Sequence, residues 1–232
     1  TILRSMIFFP EIPRLNDPFD GRVQVDFDAT PDRIRAFWEA YLREAGQPVD
    51  EAVRTRIQGF IDGRDDPAVH EQLRGIHQEE INKLGVVCFS EPADDIPMWA
   101  YYAGSQEGVC LRFRAPLLVG WRGCFPPLRV DYVKDYPRCG FYRDSRFRRM
   151  RAVLATKAKA WKHEREWRMV RSVGGVHHQF DPAALDGVIM GCRISKENEA
   201  RVRDMIEQRR PRIALLKAQP ARRAFKLEIV AA

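Results

Sequence analysis

Long apolar runs are absent from this sequence, and cysteines are few. No stretch approaches the roughly 18 apolar residues of a membrane-spanning helix, and no signal peptide is recognisable near Thr1. The five cysteines are odd in number and none forms a Cys-x-x-Cys pair, which argues against a disulfide framework or a zinc site. These absences predict a cytoplasmic protein with free thiols and without a membrane partner.

The sequence also lacks the usual motifs of nucleotide-binding and hydrolytic enzymes. It contains no Gly-x-x-x-x-Gly-Lys phosphate loop, no Gly-x-Gly-x-x-Gly dinucleotide loop, no Gly-x-Ser-x-Gly elbow and no His-Glu-x-x-His zinc pair. Hydrophobic residues make up 45% and charged residues 31% of 232 residues, as in an ordinary globular protein. This length and composition predict a single domain over residues 1–232.

Helical and strand patterns occupy different parts of the chain. Three helical patterns fall within about 31–85, and capping residues followed by proline open two of them at Thr30-Pro31 and Asp66-Pro67. Beyond residue 86, runs of β-branched and aromatic residues predict strands, interrupted by helices at about 145–162 and about 196–208. Uneven connections and an excess of strands predict an α+β fold, with split or strongly twisted mixed sheets and a helical insertion at about 31–85.

Positive charge is concentrated in one segment. Residues 138–171 hold twelve Lys or Arg and three acidic residues, so this segment carries +9 while the chain as a whole carries +7. A concentrated basic surface attracts phosphates. The segment therefore predicts contacts to nucleic acid or to an acidic protein from one side of a helix, through Arg146, Arg148, Arg149, Lys157 and Lys159.

The stretch Trp161-Lys-His-Glu164-Arg-Glu166-Trp167-Arg168 is the strongest local signal. Alternate residues of a strand share a face, so Glu164, Glu166 and Arg168 are predicted to lie together, while Trp167 and Met169 anchor the opposite face in the core. Such charges are costly to bury unpaired. This face is therefore expected to border water, a ligand or counter-charges, and Asn16-Asp-Pro-Phe-Asp20 provides a second polar cluster.

Five pieces in order make the chain similar to the bacterial domain-of-unknown-function family 2971. They are Leu15–Asp20, Val87–Glu91, Met98–Ala103, Gly108–Phe113 and Trp161-x-x-Glu164-x-Glu166-x-Arg168. Two departures are evident: family members commonly carry His where this chain has Tyr101, and they have a Tyr- or Arg-bearing strand before the position of Thr1. The family itself implies no activity.

The order of Ser90, an aromatic residue and Glu164-x-Glu166 also resembles ADP-ribosyltransferases. The resemblance implies an NAD-dependent bacterial toxin or defence component with a neutralising or defence-system partner. It implies that Glu166 steadies the ribose, Glu164 engages the acceptor and Arg168 pairs with phosphate or with Glu166. The NAD site would comprise Ser90, Trp99, Tyr102, Asn16 and Asp17, with Arg4 as the first-strand residue.

Two other interpretations of the same residues remain open. Asp17, Asp20, Glu164 and Glu166 together would suit a Mg²⁺-dependent nuclease, because Mg²⁺ prefers carboxylate oxygens. The basic segment, together with Trp121, Tyr136 and Tyr142, would suit a non-catalytic module that binds nucleic acid or a partner protein. Dependence on NAD, on Mg²⁺ or on neither distinguishes the three.

Overall fold

The computed structural model describes residues 1–232 and contains six α-helices and thirteen strands. The helices are α1 (Pro31–Glu44), α2 (Glu51–Asp62), α3 (Pro67–Asn82), α4 (Ile96–Tyr102), α5 (Arg146–Leu154) and α6 (Lys196–Gln208). The strands are β1 (Met6–Phe9), β2 (Gln24–Asp26), β3 (Gly85–Ser90), β4 (Val109–Phe113), β5 (Leu128–Arg129), β6 (Asp131–Val133), β7 (Arg138–Gly140), β8 (Thr156–Ala158), β9 (Glu166–Arg171), β10 (Val176–Gln179), β11 (Leu185–Met190), β12 (Ala214–Pro220) and β13 (Leu227–Ala231). None of the helices combines the length and apolar composition that a membrane crossing requires.

The strands form several small sheets, which confirms the α+β class. The largest sheet has the order β13-β12-β11-β4, and a three-stranded antiparallel sheet has the order β3-β9-β5. The remaining strands form the pairs β1-β10, β2-β7 and β6-β8, of which the last two are parallel. Helices α1 to α3 follow one another in the chain, whereas α4, α5 and α6 lie between strands.

The three helices predicted for residues 31–85 are present as α1, α2 and α3. Each begins at a capping side chain: Thr30, Asp50 and Asp66 accept hydrogen bonds from backbone N–H groups of the first turn. Their apolar faces form one buried cluster with residues 141–142 and Phe27. This helical layer is therefore attached to the strands chiefly through aromatic contacts.

The predicted basic helix at about 145–162 is too long. Helix α5 ends at Leu154, β8 follows, and a 3-10 helix spans Lys159–Glu164. The chain leaves the helix because residues 156–158 pair with β6, a tertiary contact that overrides the helical preference of an Ala- and Lys-rich segment. The helical spacing of Phe147, Met150 and Leu154 predicts that all three face inward, but Phe147 is exposed, whereas Val153 and Leu154 are buried.

Strand β9 begins at Glu166, two residues later than the alternating pattern predicts. Glu164 is the last residue of the 3-10 helix, and Arg165 has a left-handed backbone with φ 44°. In the register of the sheet, Glu166 lies opposite Ser90, and Arg168 lies opposite both Cys88 and Leu128. Glu166 and Arg168 are buried among counter-charges, and Met169 is buried in the core as predicted, whereas Trp167 is only half-buried.

Candidate functional site

Four segments meet at the carboxylate of Glu164. The hydroxyl of Tyr102 donates to Glu164 Oε1 at 2.8 Å, and the ammonium of Lys157 donates to Oε2 at 2.6 Å. Ser90 Oγ donates to the backbone carbonyl of Glu164 at 2.5 Å, and Asn16 Nδ2 donates to the Tyr102 hydroxyl at 2.8 Å. Asn16, Ser90, Tyr102 and Glu164, predicted from separate parts of the sequence, therefore form one hydrogen-bonded group.

A second group is centred on Arg168 and shares Lys157 with the first. Arg168 Nε donates to Glu166 Oε1 at 2.6 Å, and its Nη2 donates to Asp20 Oδ1 at 2.8 Å. Lys157 Nζ is 3.2 Å from Glu166 Oε2, so this ammonium joins both glutamates. We call these five residues, Asp20, Lys157, Glu164, Glu166 and Arg168, the charge network. Their side chains are at most 3% exposed.

The charge network has three carboxylates and two cations, and its ionisation is coupled. Burial alone would lower the pKa of Lys157, but the negative charges of Glu166 and Glu164 raise it above the ordinary value. Burial opposes the ionisation of Glu166, yet Arg168 and then Lys157 outweigh it and lower the pKa. Burial raises the pKa of Asp20 despite its contact with Arg168. With all five groups ionised, the network carries one net negative charge.

Tyr102 connects this buried network to the surface. Its side chain is 48% exposed, although its hydroxyl is committed to Glu164. Burial, followed by the hydrogen bond to Glu164, raises the pKa of Tyr102, so the hydroxyl remains a proton donor at neutral pH. Tyr101 and Trp161 lie beside it with ring centroids 6.2 Å apart, and Lys157 Nζ is 4.9 Å from the Trp161 centroid. The mouth of the site is thus aromatic.

Cys88 lies next to the charge network as a neutral neighbour. Part of its surface reaches solvent, but the surrounding protein, followed by the negative charge of Glu166, raises the thiol pKa well above its ordinary value. A thiol in that state is a poor nucleophile. Cys88 therefore contributes packing to the site and no reactive thiolate.

Two residues predicted to bind a cofactor have other roles in the structure. Trp99 is only 3% exposed, packs against Ala103 and Ile189 and donates its indole N–H to Ala93 O at 2.8 Å. Trp99, which the resemblance places in the NAD site, therefore has no exposed ring face for a ligand. Asp17 caps the turn by accepting from Phe19 N at 2.9 Å, and its other oxygen is buried without a partner.

The residues predicted to bind a polyanion do not form one surface. Arg146, Arg148 and Lys159 are exposed. Arg149 is half-buried and donates to the carbonyls of residues 141 and 144, so it stabilises the fold locally. Lys157 belongs to the charge network, and its prediction as a surface contact is wrong. The prediction failed because it placed Lys157 in a helix. In the structure Lys157 lies in β8, and this strand directs its side chain inward.

A polar cleft adjoins the charge network between the β2-β7 and β6-β8 pairs. Its volume is about 390 Å³, within the usual range for ligand pockets, and Lys157 contributes to its wall. Phe19 and Tyr136 are exposed aromatic residues of this cleft, and Arg22 and Lys134 are its exposed cations. We call it the Phe19–Tyr136 cleft. Sequence reasoning missed it, because these residues come from separate loops.

The carboxylates of the charge network already have protein counter-ions. Lys157 and Arg168 occupy the positions next to Glu164, Glu166 and Asp20 that a divalent cation would take in the nuclease interpretation. Binding of Mg²⁺ by these oxygens would have to displace an ammonium and a guanidinium from 2.6–2.8 Å contacts. The geometry therefore argues against a Mg²⁺ site at these carboxylate oxygens.

Comparison with protein families, with curated proteins and with solved structures finds no match to this chain.

Proposed function

We propose that this chain is an NAD-dependent enzyme of the ADP-ribosyltransferase type. The observation that carries the proposal is the excess carboxylate of the charge network, which has three carboxylates and two cations next to an exposed tyrosine. Cleavage of the bond between ribose and nicotinamide develops positive charge on the ribose ring. A fixed negative charge in a site of low dielectric stabilises this positive charge, and the surrounding protein groups do not have to reorganise.

The proposed reaction is a substitution at the anomeric carbon of the nicotinamide ribose. The carbon–nitrogen bond breaks, its electron pair goes to the pyridinium nitrogen, and nicotinamide leaves as a neutral molecule. An oxygen or nitrogen atom of the acceptor forms the new bond to the same carbon and loses its proton. With water as the acceptor, the products are ADP-ribose, nicotinamide and a proton.

Glu164 is the carboxylate whose charge we assign to the ribose: its side chain is 3% exposed and both its oxygens are hydrogen-bonded, so it acts electrostatically from behind Tyr102, which reaches the surface. The Tyr102 ring offers a face for nicotinamide, and Tyr101 and Trp161 extend the aromatic mouth. Lys162 and Arg165, exposed on either side of Glu164 in the chain, are the cations available to the pyrophosphate. The resemblance implies the ribose role for Glu166, but Glu166 is held by Arg168, so we assign it as the positioning residue that keeps Lys157 between the two glutamates.

Nicotinamide release measured by chromatography, together with calorimetric titration of NAD, tests the proposal. Glu164→Gln preserves shape and removes the excess negative charge, so release should fall by about 100-fold or more, the usual effect of removing one electrostatic stabiliser. Tyr102→Ala should weaken NAD binding. The matched control is Glu107→Gln. Glu107 is exposed, and its contact with the guanidinium of Arg193 is long, at 3.8 Å. Wild-type protein that neither binds NAD nor releases nicotinamide would refute the proposal.

A further inference from the structure

The Phe19–Tyr136 cleft has the composition of a site for single-stranded nucleic acid. Two exposed aromatic rings and two exposed cations line it, with Asp135 as its acidic residue. Unpaired bases stack on aromatic rings whatever their sequence, while cations follow the phosphates. A duplex keeps its bases stacked inside, so the rings would be of no use to it.

The loop that carries Phe19 is held rigidly at the edge of this cleft. Asp17 caps the turn through Phe19 N, Arg22 Nε donates to Pro18 O at 3.2 Å, and the Arg22 guanidinium is 5.9 Å from the Phe19 ring centroid. Asp20 of the same loop is anchored by Arg168. Phe19 nevertheless remains 56% exposed, so its ring is available at the edge of the cleft.

The cleft and the charge network share Lys157. The wall of the cleft includes Thr156, Lys157 and Ala158, which form β8, and the Lys157 ammonium is 2.6 Å from Glu164 Oε2. A chain lying in the cleft therefore passes within one side-chain length of the carboxylate that we assign to the ribose. A volume of about 390 Å³ suits a nucleotide unit rather than a folded protein surface.

We infer that the Phe19–Tyr136 cleft binds single-stranded nucleic acid, with bases on Phe19 and Tyr136 and phosphates on Arg22 and Lys134. Resting on the proposed function, this inference names single-stranded nucleic acid as the acceptor class. Binding itself is independent of NAD, so the two proposals fail separately.

Fluorescence anisotropy with a labelled oligo(dT) of about eight nucleotides tests the inference against a duplex of equal length and against poly-glutamate. The single strand should bind more tightly than either. The double variant Phe19→Ala, Tyr136→Ala should weaken it by at least about fivefold for each ring lost. Lys134→Ala should reduce the slope of the logarithm of the binding constant against the logarithm of salt concentration by about one.

The control is Phe225→Ala, because Phe225 is a fully exposed aromatic outside the cleft. It should leave oligonucleotide affinity unchanged, and Tyr136→Phe should keep the wild-type affinity because the ring is retained. Equal affinity for duplex and single strand, preferential binding of poly-glutamate, or full affinity of the Phe19→Ala, Tyr136→Ala protein would overturn the inference. If oligo(dT) binds through the cleft while nicotinamide is never released, only the proposed enzymatic function fails.

Discussion

Among single residues, Lys157 is the one that joins the two glutamates of the charge network. Its ammonium contacts Glu164 and Glu166 at 2.6 and 3.2 Å, and all three side chains are at most 3% exposed. Without it, two carboxylates would face each other with little solvent to screen them. Arg168 could then neutralise only Glu166 and Asp20, which it already contacts.

Lys157→Met should lower the free energy of unfolding by about 3–5 kcal/mol, because removing one partner leaves a buried charge uncompensated. Urea denaturation measures the loss. Lys217→Met is the control: Lys217 pairs with Glu199 at 2.8 Å, but both side chains are more than a fifth exposed, so its loss should cost under about 1 kcal/mol. Equal losses in the two variants would mean that the network is hydrated in solution.

The lowered pKa of Glu166 predicts a stability that declines in acid. In the unfolded chain a glutamate takes up its proton near about pH 4.3, whereas folded Glu166 stays ionised to lower pH. The contribution of its ion pairs is therefore fully present above about pH 4.3 and is lost as the pH falls through the folded pKa. Asp20, whose pKa is raised, has the opposite effect: its contribution to the free energy of unfolding increases as the pH falls.

Urea unfolding between about pH 3 and about pH 6 checks this prediction. The difference in stability between wild type and Glu166→Gln should shrink toward low pH, whereas the difference between wild type and Asp20→Asn should change in the other direction. A constant difference for Glu166→Gln over this range would show that Glu166 has the same pKa in the folded and unfolded chain.

Individual site residues were predictable where the residue type itself is unusual. A strand carrying Glu166 and Arg168 attracts attention because buried charges need partners, and the partners are there. The burial of Lys157 was not predictable, since a lysine between Thr156 and Ala158, two residues from exposed Lys159, has no local mark of burial. Its partner Glu164 is seven residues away, and only the turn into β8 brings the two together.

At the level of elements, helix α5 keeps a basic surface although it is short. Arg146 and Arg148 remain exposed, and their nearest carboxylates are those of Glu44 at 3.9 Å and Asp144 at 3.2 Å. Exposed pairs of this kind contribute little to stability. The two arginines are therefore free to contact phosphates.

Reversing both charges, Arg146→Glu with Arg148→Glu, should lower affinity for single-stranded and duplex DNA alike. Each lost phosphate contact should reduce the slope of the logarithm of the binding constant against the logarithm of salt concentration by about 0.9, because fewer counterions are released. The matched control reverses Arg54 and Arg56 on α2, which are equally exposed. Anisotropy over a salt series measures both, and identical curves for the two double variants would show that α5 has no special part in binding.

The elements that sequence reasoning found are those with local signals. Helices α1 to α3 are each preceded by an N-capping residue that is recognisable in the sequence. Helix α6 likewise begins after Ser195, whose hydroxyl accepts a hydrogen bond from Asn198 N at 3.1 Å. Strands β2, β7 and β8 have three residues each, too few to show alternation. They exist because backbone groups pair across long sequence separations, which no local pattern encodes.

For the whole molecule, the core is divided into separate apolar clusters. Helices α1 to α3 share one with Phe141, whereas β3, β9 and β11 contribute to another with Phe180. Phe141 is 5.1 Å from Phe37 and 5.3 Å from Phe27 between ring centroids, so it joins the helices to the strands. Separate clusters allow separate local unfolding.

Phe141→Ala should therefore loosen the helical layer more than the site. Amide exchange should accelerate in α1, α2 and α3 while β3 and β9 keep most of their protection, and stability should fall by about 3–5 kcal/mol. Phe180→Ala serves as the control, with the loss of protection expected in β11 and its neighbours. Uniform acceleration across the chain in both variants would show that the molecule unfolds as one cooperative unit.

The left-handed backbone of Arg165 has a consequence for recognising other chains of this design. It turns the strand start so that Glu164 and Glu166, two residues apart, reach the same ammonium. Glycine, asparagine and aspartate adopt this conformation most readily, and β-branched residues scarcely at all. We therefore expect the same arrangement, with one ammonium between two glutamates, in other chains that contain Lys-x6-Glu-x-Glu-x-Arg with glycine, asparagine or aspartate between the glutamates. The remaining sequence of such a chain could be entirely different.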